Sequence, residues 1–155
     1  MKLNLGGGDD RREGYLNVDL RQDCTDVHAD VRALPFRSNS ASDILALDIL
    51  EHLPPSFTLP VLRSWFDVLE PGGQLTLRIP NMFQLARWIA NDHRVDEAIT
   101  NIYGGHKFGP DGTWDTHHVG FTPAMAFALL HEVGFEEVEC DYELNMTFIA
   151  RKPCP

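Results

Sequence analysis

Cysteine, positive charge and long apolar runs are all scarce in this chain of 155 residues. The 3 cysteines, Cys24, Cys140 and Cys154, lie far apart with no C-x-x-C pair. An odd, scattered set excludes a disulfide framework and fits free thiols in a reducing compartment. Lysine and arginine number 13 against 23 aspartates and glutamates, a formal net charge of −10. A nucleic-acid partner needs a basic face for its phosphates, and the densest basic cluster is only Arg11-Arg12. The acidity reads as solubility. No apolar stretch nears the roughly 20 residues of a membrane helix, and no basic-then-apolar leader is visible. The expectation is a cytoplasmic protein, 1–155 as one domain, with no membrane or nucleic-acid partner.

No internal repeat or low-complexity tract interrupts the chain. A hydrophobic share of 43% suffices for a core at this length. Alternation predicts strands over 2–5, 15–19, 27–29, 74–79, 138–142 and 146–150, and the apolar run Ile44 to Leu47 predicts a central strand. Val61, Leu62, Trp65, Phe66 and Leu69 recur at helical spacing, predicting a helix over 58–69 with Pro60 in its first turn. Glu70-Pro71-Gly72-Gly73 supplies the breakers after it. A second helix is predicted over 81–91 behind an Asn81 cap, and a third opens at Thr122-Pro123 and closes at Gly134. Residues 93–121 show no regular period. A stretch of that length in a compact domain is usually functional or mobile.

Strands followed by helices predict an α/β, mostly parallel sheet with a C-terminal antiparallel hairpin. The spacing is unusual at the start. About nine residues, 6–14, separate the first two predicted strands, whereas a parallel crossover normally takes a dozen or more with a helix inside. The early strands also alternate apolar with polar residues rather than running apolar throughout. Reduced helices are therefore expected, on one face only. The polar second face would be solvated, covered by 93–121, or a wet dimer contact, in a monomer or weak homodimer.

The first nineteen residues carry the main chemical signal. Strand Lys2 to Leu5 runs into Gly6-Gly7-Gly8, and the next strand ends in Asp19. Glycines let a ligand lie against bare backbone, and an acid at a strand tip can accept from both ribose hydroxyls. A dinucleotide fingerprint would need a third glycine where Arg11 stands, a helix after the glycines and a later acid. A phosphate loop would need G-K-[ST], which is absent. S-adenosylmethionine (SAM) carries no phosphate and needs no such helix.

Seven motifs fall in order along the chain: Leu5-Gly6-Gly7-Gly8, Asn17-Val18-Asp19, Ala29-Asp30-Val31, Leu34-Pro35-Phe36, Ser42-Asp43-Ile44, Leu50-Glu51-His52-Leu53 and Leu69-Glu70-Pro71-Gly72-Gly73. The series resembles the class I SAM-dependent methyltransferases, specifically the small "methyltransferase domain 11" type. Gly120-Phe121-Thr122-Pro123, Glu132-Val133-Gly134-Phe135 and Ile149-Ala150-Arg151-Lys152 resemble the last helix and hairpin of that group. The resemblance implies a Rossmann-like fold and S-adenosyl-L-methionine as cofactor, with S-adenosyl-L-homocysteine as product. It implies that Gly6 and Gly8 pass under the methionine part and that Asp19 holds the ribose with Leu20 against adenine. Asp30 would accept from the adenine amino group, the Val31 N–H would meet a ring nitrogen, and Asp48 would face the cofactor's amine. Asn4 stands where the family usually has an acid, and it would orient the loop through hydrogen bonds. Gly7, often another residue in the family, implies a looser loop.

The acceptor side is less determined. Parallel sheets place ligands beyond the carboxyl ends of their strands, where 80–82 and 93–121 should lie. Tyr103, His106, Trp114, Asp115, His117 and His118 crowd that segment. Tyr103 and Trp114 could wall the site. His117 and His118 are the candidate bases, against a plain role in bonding backbone near the Thr122 cap. The histidines from His106 to His118 match no standard zinc spacing, so no metal is expected. Leu50 to Leu53 is expected to be packing and helix entry. The expected activity is methyl transfer to a small-molecule or sugar-like acceptor, the rival being a non-catalytic SAM-binding or interaction module.

Overall fold

Side-chain parity along the strands decides the architecture. In the computed structural model, which describes residues 1–155, one seven-stranded sheet runs in the order β3-β2-β1-β4-β5-β7-β6. Its strands are β1 (Lys2–Leu5), β2 (Leu16–Asp19), β3 (Val27–His28), β4 (Ala41–Leu47), β5 (Leu69–Pro80), β6 (Glu136–Tyr142) and β7 (Asn145–Arg151). Strands β1 to β5 pair in parallel, and β7 pairs antiparallel with both β5 and β6. The register sets Leu5, Val18, Ala46, Leu77 and Phe148 side by side on one face. All five are buried.

Helices α1 (Pro55–Val68) and α4 (Pro123–Val133) pack on each other and cover that face. From α1 come Val61, Leu62, Trp65 and Val68, and from α4 come Ala126 and Leu130. These side chains and the apolar strand residues form one buried cluster. Trp65 is fully buried, and its indole N–H donates to the Val31 carbonyl at 2.9 Å. The core is thereby tied to the chain leaving β3. Helix α4 follows its sequence signals: Thr122 accepts from the Met125 N–H, Pro123 opens the first turn, and Gly134 closes it at φ 109°. Helix α2 (Met82–Ala90) starts at Asn81, whose side chain accepts from the Phe83 and Gln84 N–H groups.

No helix covers the second face. Asp43, Leu45, Leu47, Thr76 and Arg78 are only half-buried there, and Ile149 and Arg151 are exposed. Most of this face has no cover from within the chain. The loop after β1 takes the rest, with the Tyr15 hydroxyl donating to Asp43 at 2.6 Å. Residues 104–118 do not lie on it, because they turn towards the carboxyl ends of the strands.

Four expectations need correction. Helix α1 begins at Pro55, not Thr58, so Pro60 sits in its second turn. The ring there removes the bond to the Ser56 carbonyl, and the helix continues through it to Val68. Glu70 to Gly73 form an irregular entry into β5 rather than a gap between elements, with Leu69 already paired to Ala41. The fourth strand starts at Ala41. Residues 93–121 contain a helix, α3 (Val95–Tyr103), packed on α2. Val95, Ala98, Ile99 and Ile102 have helical spacing. Its start is masked because Arg94 is left-handed (φ 45°) and supplies no capping side chain. No helix is long and apolar enough to cross a membrane.

Adjacent residues of β7 test the one-sided sheet. Phe148→Ala should cost about 3–5 kcal/mol, as a buried aromatic does. Ile149→Thr on the open face should cost under about 1 kcal/mol. Urea denaturation reads both, and equal losses would show that the second face is packed.

Candidate functional site

The chain leaves β1 through Gly6 and Gly8, both with positive φ (64° and 50°). Beneath this bend lies a pair of buried amides. Asn4 Nδ2 donates to the Asp10 carbonyl at 2.8 Å and to Asn17 Oδ1 at 2.9 Å. Asn17 Nδ2 donates to the Gly8 and Cys24 carbonyls at 3.0 and 2.7 Å. A Cβ on Gly7 would run into both amides, so only glycine lets the loop lie down on them. The loop is thus pinned, against the looser one that a glycine at this position suggests. Asn4 lies below the bend and does not line the crevice above it. An aspartate at position 4 could donate neither bond.

Above the bend, Asp19 ends β2. Its Oδ2 accepts from the Gly8 N–H and its Oδ1 from the Arg21 N–H, each at 2.9 Å. A carboxylate offers about four lone-pair directions, so two remain for a ligand. The next strand, β3, leads to Asp30, whose carboxylate is forked by the Arg32 guanidinium, Nε lying 2.9 Å from Oδ2. That partner holds the Asp30 carboxyl below its ordinary range. The Val31 N–H has no partner within the chain. Asp48 leaves β4 at φ 54°, and Arg78 Nε donates to its two oxygens at 3.0 and 2.9 Å.

These groups surround a crevice of about 500 Å³ at the carboxyl ends of β1 to β4. Gly6, Gly7, Gly8, Asp19, Leu20, Asp30, Val31 and Asp48 all line it. Its volume is in the range of small-molecule and cofactor sites. Residues 104–118 form the far wall through Phe108, Thr113, Trp114 and Asp115. Asp115 organises that wall by accepting from the Lys107 and Phe108 N–H groups at 2.8 and 3.0 Å. Trp114 lines the crevice, whereas Tyr103 does not and is exposed.

Glu51 and His52, read from sequence as packing, belong to this region. A 3-10 turn at Leu50–His52 follows β4, and its Glu51 carbonyl accepts from the His118 N–H at 2.8 Å. That bond carries His117 against His52, with ring centroids 4.7 Å apart, edge to face. His52 lines the crevice. Glu51 is 1% exposed, and neither of its carboxylate oxygens has a partner. Burial pushes its carboxyl up to about 8. Burial also lowers the pKa of His52 and of His117, so both rings are held neutral near pH 7. His117 is half-buried behind His52, and the His118 side chain is exposed, without a hydrogen bond. Sequence spacing could not find this group, since it joins residues more than sixty positions apart.

No protein-family model and no curated protein matches this chain. Solved structures do. The chain is similar to a SAM-dependent methyltransferase from Archaeoglobus fulgidus, at TM-score 0.70 and 15% identity, over 97% of this chain and 85% of the other. A SAM-dependent methyltransferase from Methanosarcina mazei aligns at TM-score 0.68 and 18% identity, over 99% and 92%. The 1,6-didemethyltoxoflavin-N1-methyltransferase of Burkholderia thailandensis, solved with its substrate and S-adenosylhomocysteine, aligns at TM-score 0.65 and 16% identity, over 98% and 70%. At such identities the likeness is one of fold. The chain has the class I SAM-dependent methyltransferase fold.

Asn4→Asp tests the amide pair. Trading a donor for a charge against two acceptors should cost about 1–3 kcal/mol, read as a lower urea midpoint without cofactor. Unchanged stability would show that the pair does not hold the loop.

Proposed function

We propose that residues 1–155 form a SAM-dependent methyltransferase domain that transfers a methyl group in line to a small-molecule or sugar-like acceptor. The observation that carries this reading is the glycine bend clasped by Asp19 over the crevice. It occurs on a fold shared with solved SAM-dependent methyltransferases. The Gly6 and Gly8 backbone lies under the methionine part of S-adenosyl-L-methionine. The free lone pairs of Asp19 accept from the ribose hydroxyls, Leu20 packs on adenine, Asp30 accepts from the adenine amino group, and the Val31 N–H donates to a ring nitrogen. Asp48 faces the cofactor's ammonium. The unpartnered Val31 N–H supports the adenine end of this placement.

In the reaction the acceptor's lone pair attacks the methyl carbon. The carbon–sulfur bond breaks with its electrons staying on sulfur, and the sulfonium becomes the neutral thioether of S-adenosyl-L-homocysteine. The protein aligns nucleophile, methyl and sulfur and excludes water. Where the acceptor is a hydroxyl, a neutral imidazole takes its proton, a contribution of about 10²–10⁴. His117, beside the crevice-lining His52, is better placed for this than the outward His118. Phe108 and Trp114 on the wall, next to Asp115, suit an acceptor with one apolar face and hydroxyls. The acidic surface fits a monomer or weak homodimer without nucleic acid.

A thermal-shift comparison tests the cofactor. SAM and S-adenosylhomocysteine should raise the melting temperature by mass action, and NAD should not. Asp19→Ala should weaken SAM at least tenfold by calorimetry, about 1.4 kcal/mol. Affinity unchanged by that substitution would refute the ribose role. SAM binding without S-adenosylhomocysteine formation across a panel of acceptors would favour the non-catalytic module.

A further inference from the structure

Glu51 is an anomaly that cofactor binding leaves unexplained. A buried carboxyl with no hydrogen bond on either oxygen is costly in either protonation state. Arg78, the cation that bears on Glu51, is already taken by Asp48. Two ring nitrogens lie beside Glu51. His52 Nδ1 is 3.2 Å from the Thr116 carbonyl and His117 Nδ1 is 2.8 Å from the Asn101 carbonyl. A carbonyl only accepts, so each Nδ1 carries the proton and each Nε2 keeps an open lone pair. An imidazole whose Nδ1–H is fixed by a backbone carbonyl is the usual form of a metal-bound histidine. One ligand atom each from Glu51, His52 and His117 lie within 4.8 Å of one another. Bonds of about 2.0–2.2 Å to a tetrahedral ion bring neighbouring ligands to roughly 3.5 Å. The three ligand atoms would therefore draw together by up to about 1.3 Å around the ion.

We propose that Glu51, His52 and His117 form a binding site for a divalent ion of the zinc class, with an open coordination position turned to the crevice. Two neutral imidazoles and one carboxylate are the ligand set of open, three-ligand zinc sites. Binding the ion displaces the Glu51 proton, and the carboxylate so formed matches the cation's charge as a neutral ligand would not. Its opening follows from His52, the one of the three that lines the crevice. The ion also narrows the acceptor, a step that rests on the methyl-transfer reading. An acceptor hydroxyl that fills the open position becomes more acidic and releases its proton to solvent. Its oxygen then attacks the methyl carbon as the carbon–sulfur bond breaks. With the ion bound, the His117 nitrogen is a ligand and not a base. The acceptor class is therefore an oxygen nucleophile.

Metal binding is measured without SAM, so its failure and the failure of the cofactor reading are separable. Chelator-treated, dialysed protein is titrated with Zn²⁺ by calorimetry and with Co²⁺ by visible absorption. One equivalent per chain is expected, with the ligand-field bands of a low-coordinate Co²⁺ site and a raised melting temperature. Glu51→Gln and His117→Ala should each weaken the ion at least tenfold, with far-ultraviolet circular dichroism retained. His118→Ala, next along the chain, should leave the binding unchanged. Binding well below one equivalent overturns the site, as does one-equivalent binding that neither Glu51→Gln nor His117→Ala alters. If S-adenosylhomocysteine forms equally fast in chelated and zinc-loaded protein, the oxygen-acceptor step is overturned and the ion is structural.

Discussion

Everything at the candidate site depends on how the chain turns between β1 and β2. Two buried asparagines hold that turn from below, and one aspartate holds it from above. Asn4 and Asn17 supply donors to three carbonyls of the connecting segments, and Gly7 is the only residue that can rest on them. Asp19 then clamps the Gly8 N–H. In a sheet with no helix after β1, this polar lattice does what a helix N-terminus does in dinucleotide folds: it fixes a tight backbone bend at the edge of a ligand crevice. An asparagine at position 4, where the resemblance leads one to expect an acid, thus has a local physical reason. A carboxylate there would face two acceptors.

The one-sided sheet follows from the same economy of chain. Short connections leave β1, β2 and β3 without helices on their second face, where the loop after β1 lies on the buried Asn4 and Asn17 and Lys2 is exposed beside the half-buried Asp43. The apolar side is correspondingly dense. Trp65 reaches from α1 to the Val31 carbonyl, which links core packing directly to the backbone proposed to read adenine. Beyond the carboxyl ends of the strands, Asp115 and the bond from His118 to Glu51 give residues 104–118 their shape. That segment brings aromatic surface to the crevice and His117 against His52.

Local physics made much of this legible in advance. Alternation in β1, β2 and β5 revealed the single buried face, and the short gap between the first strands revealed the missing helices. The Asn81, Thr122 and Gly134 signals marked helix ends because capping involves only neighbours in sequence. The glycine bend and Asp19 were visible for the same reason. Helix α3 was missed although its apolar residues have helical spacing, because Arg94 gives no capping signal. The Glu51, His52 and His117 group was illegible for a deeper reason. Its members meet only after the turn that follows β4 and residues 118–119 come together through backbone bonds to the Glu51 carbonyl, and no spacing rule spans that distance. Burial without a partner, the property that singles out Glu51, exists only in the folded chain.

The central claim is that the crevice beside Asp19 is built for an adenosyl sulfonium. A crystal structure of the protein soaked with S-adenosylhomocysteine tests it most directly. The account predicts density for the nucleoside in that crevice, with both ribose hydroxyls on Asp19 and the adenine edge against Asp30 and the Val31 N–H. An empty crevice at saturating ligand, or the nucleoside bound elsewhere on the sheet, would contradict it.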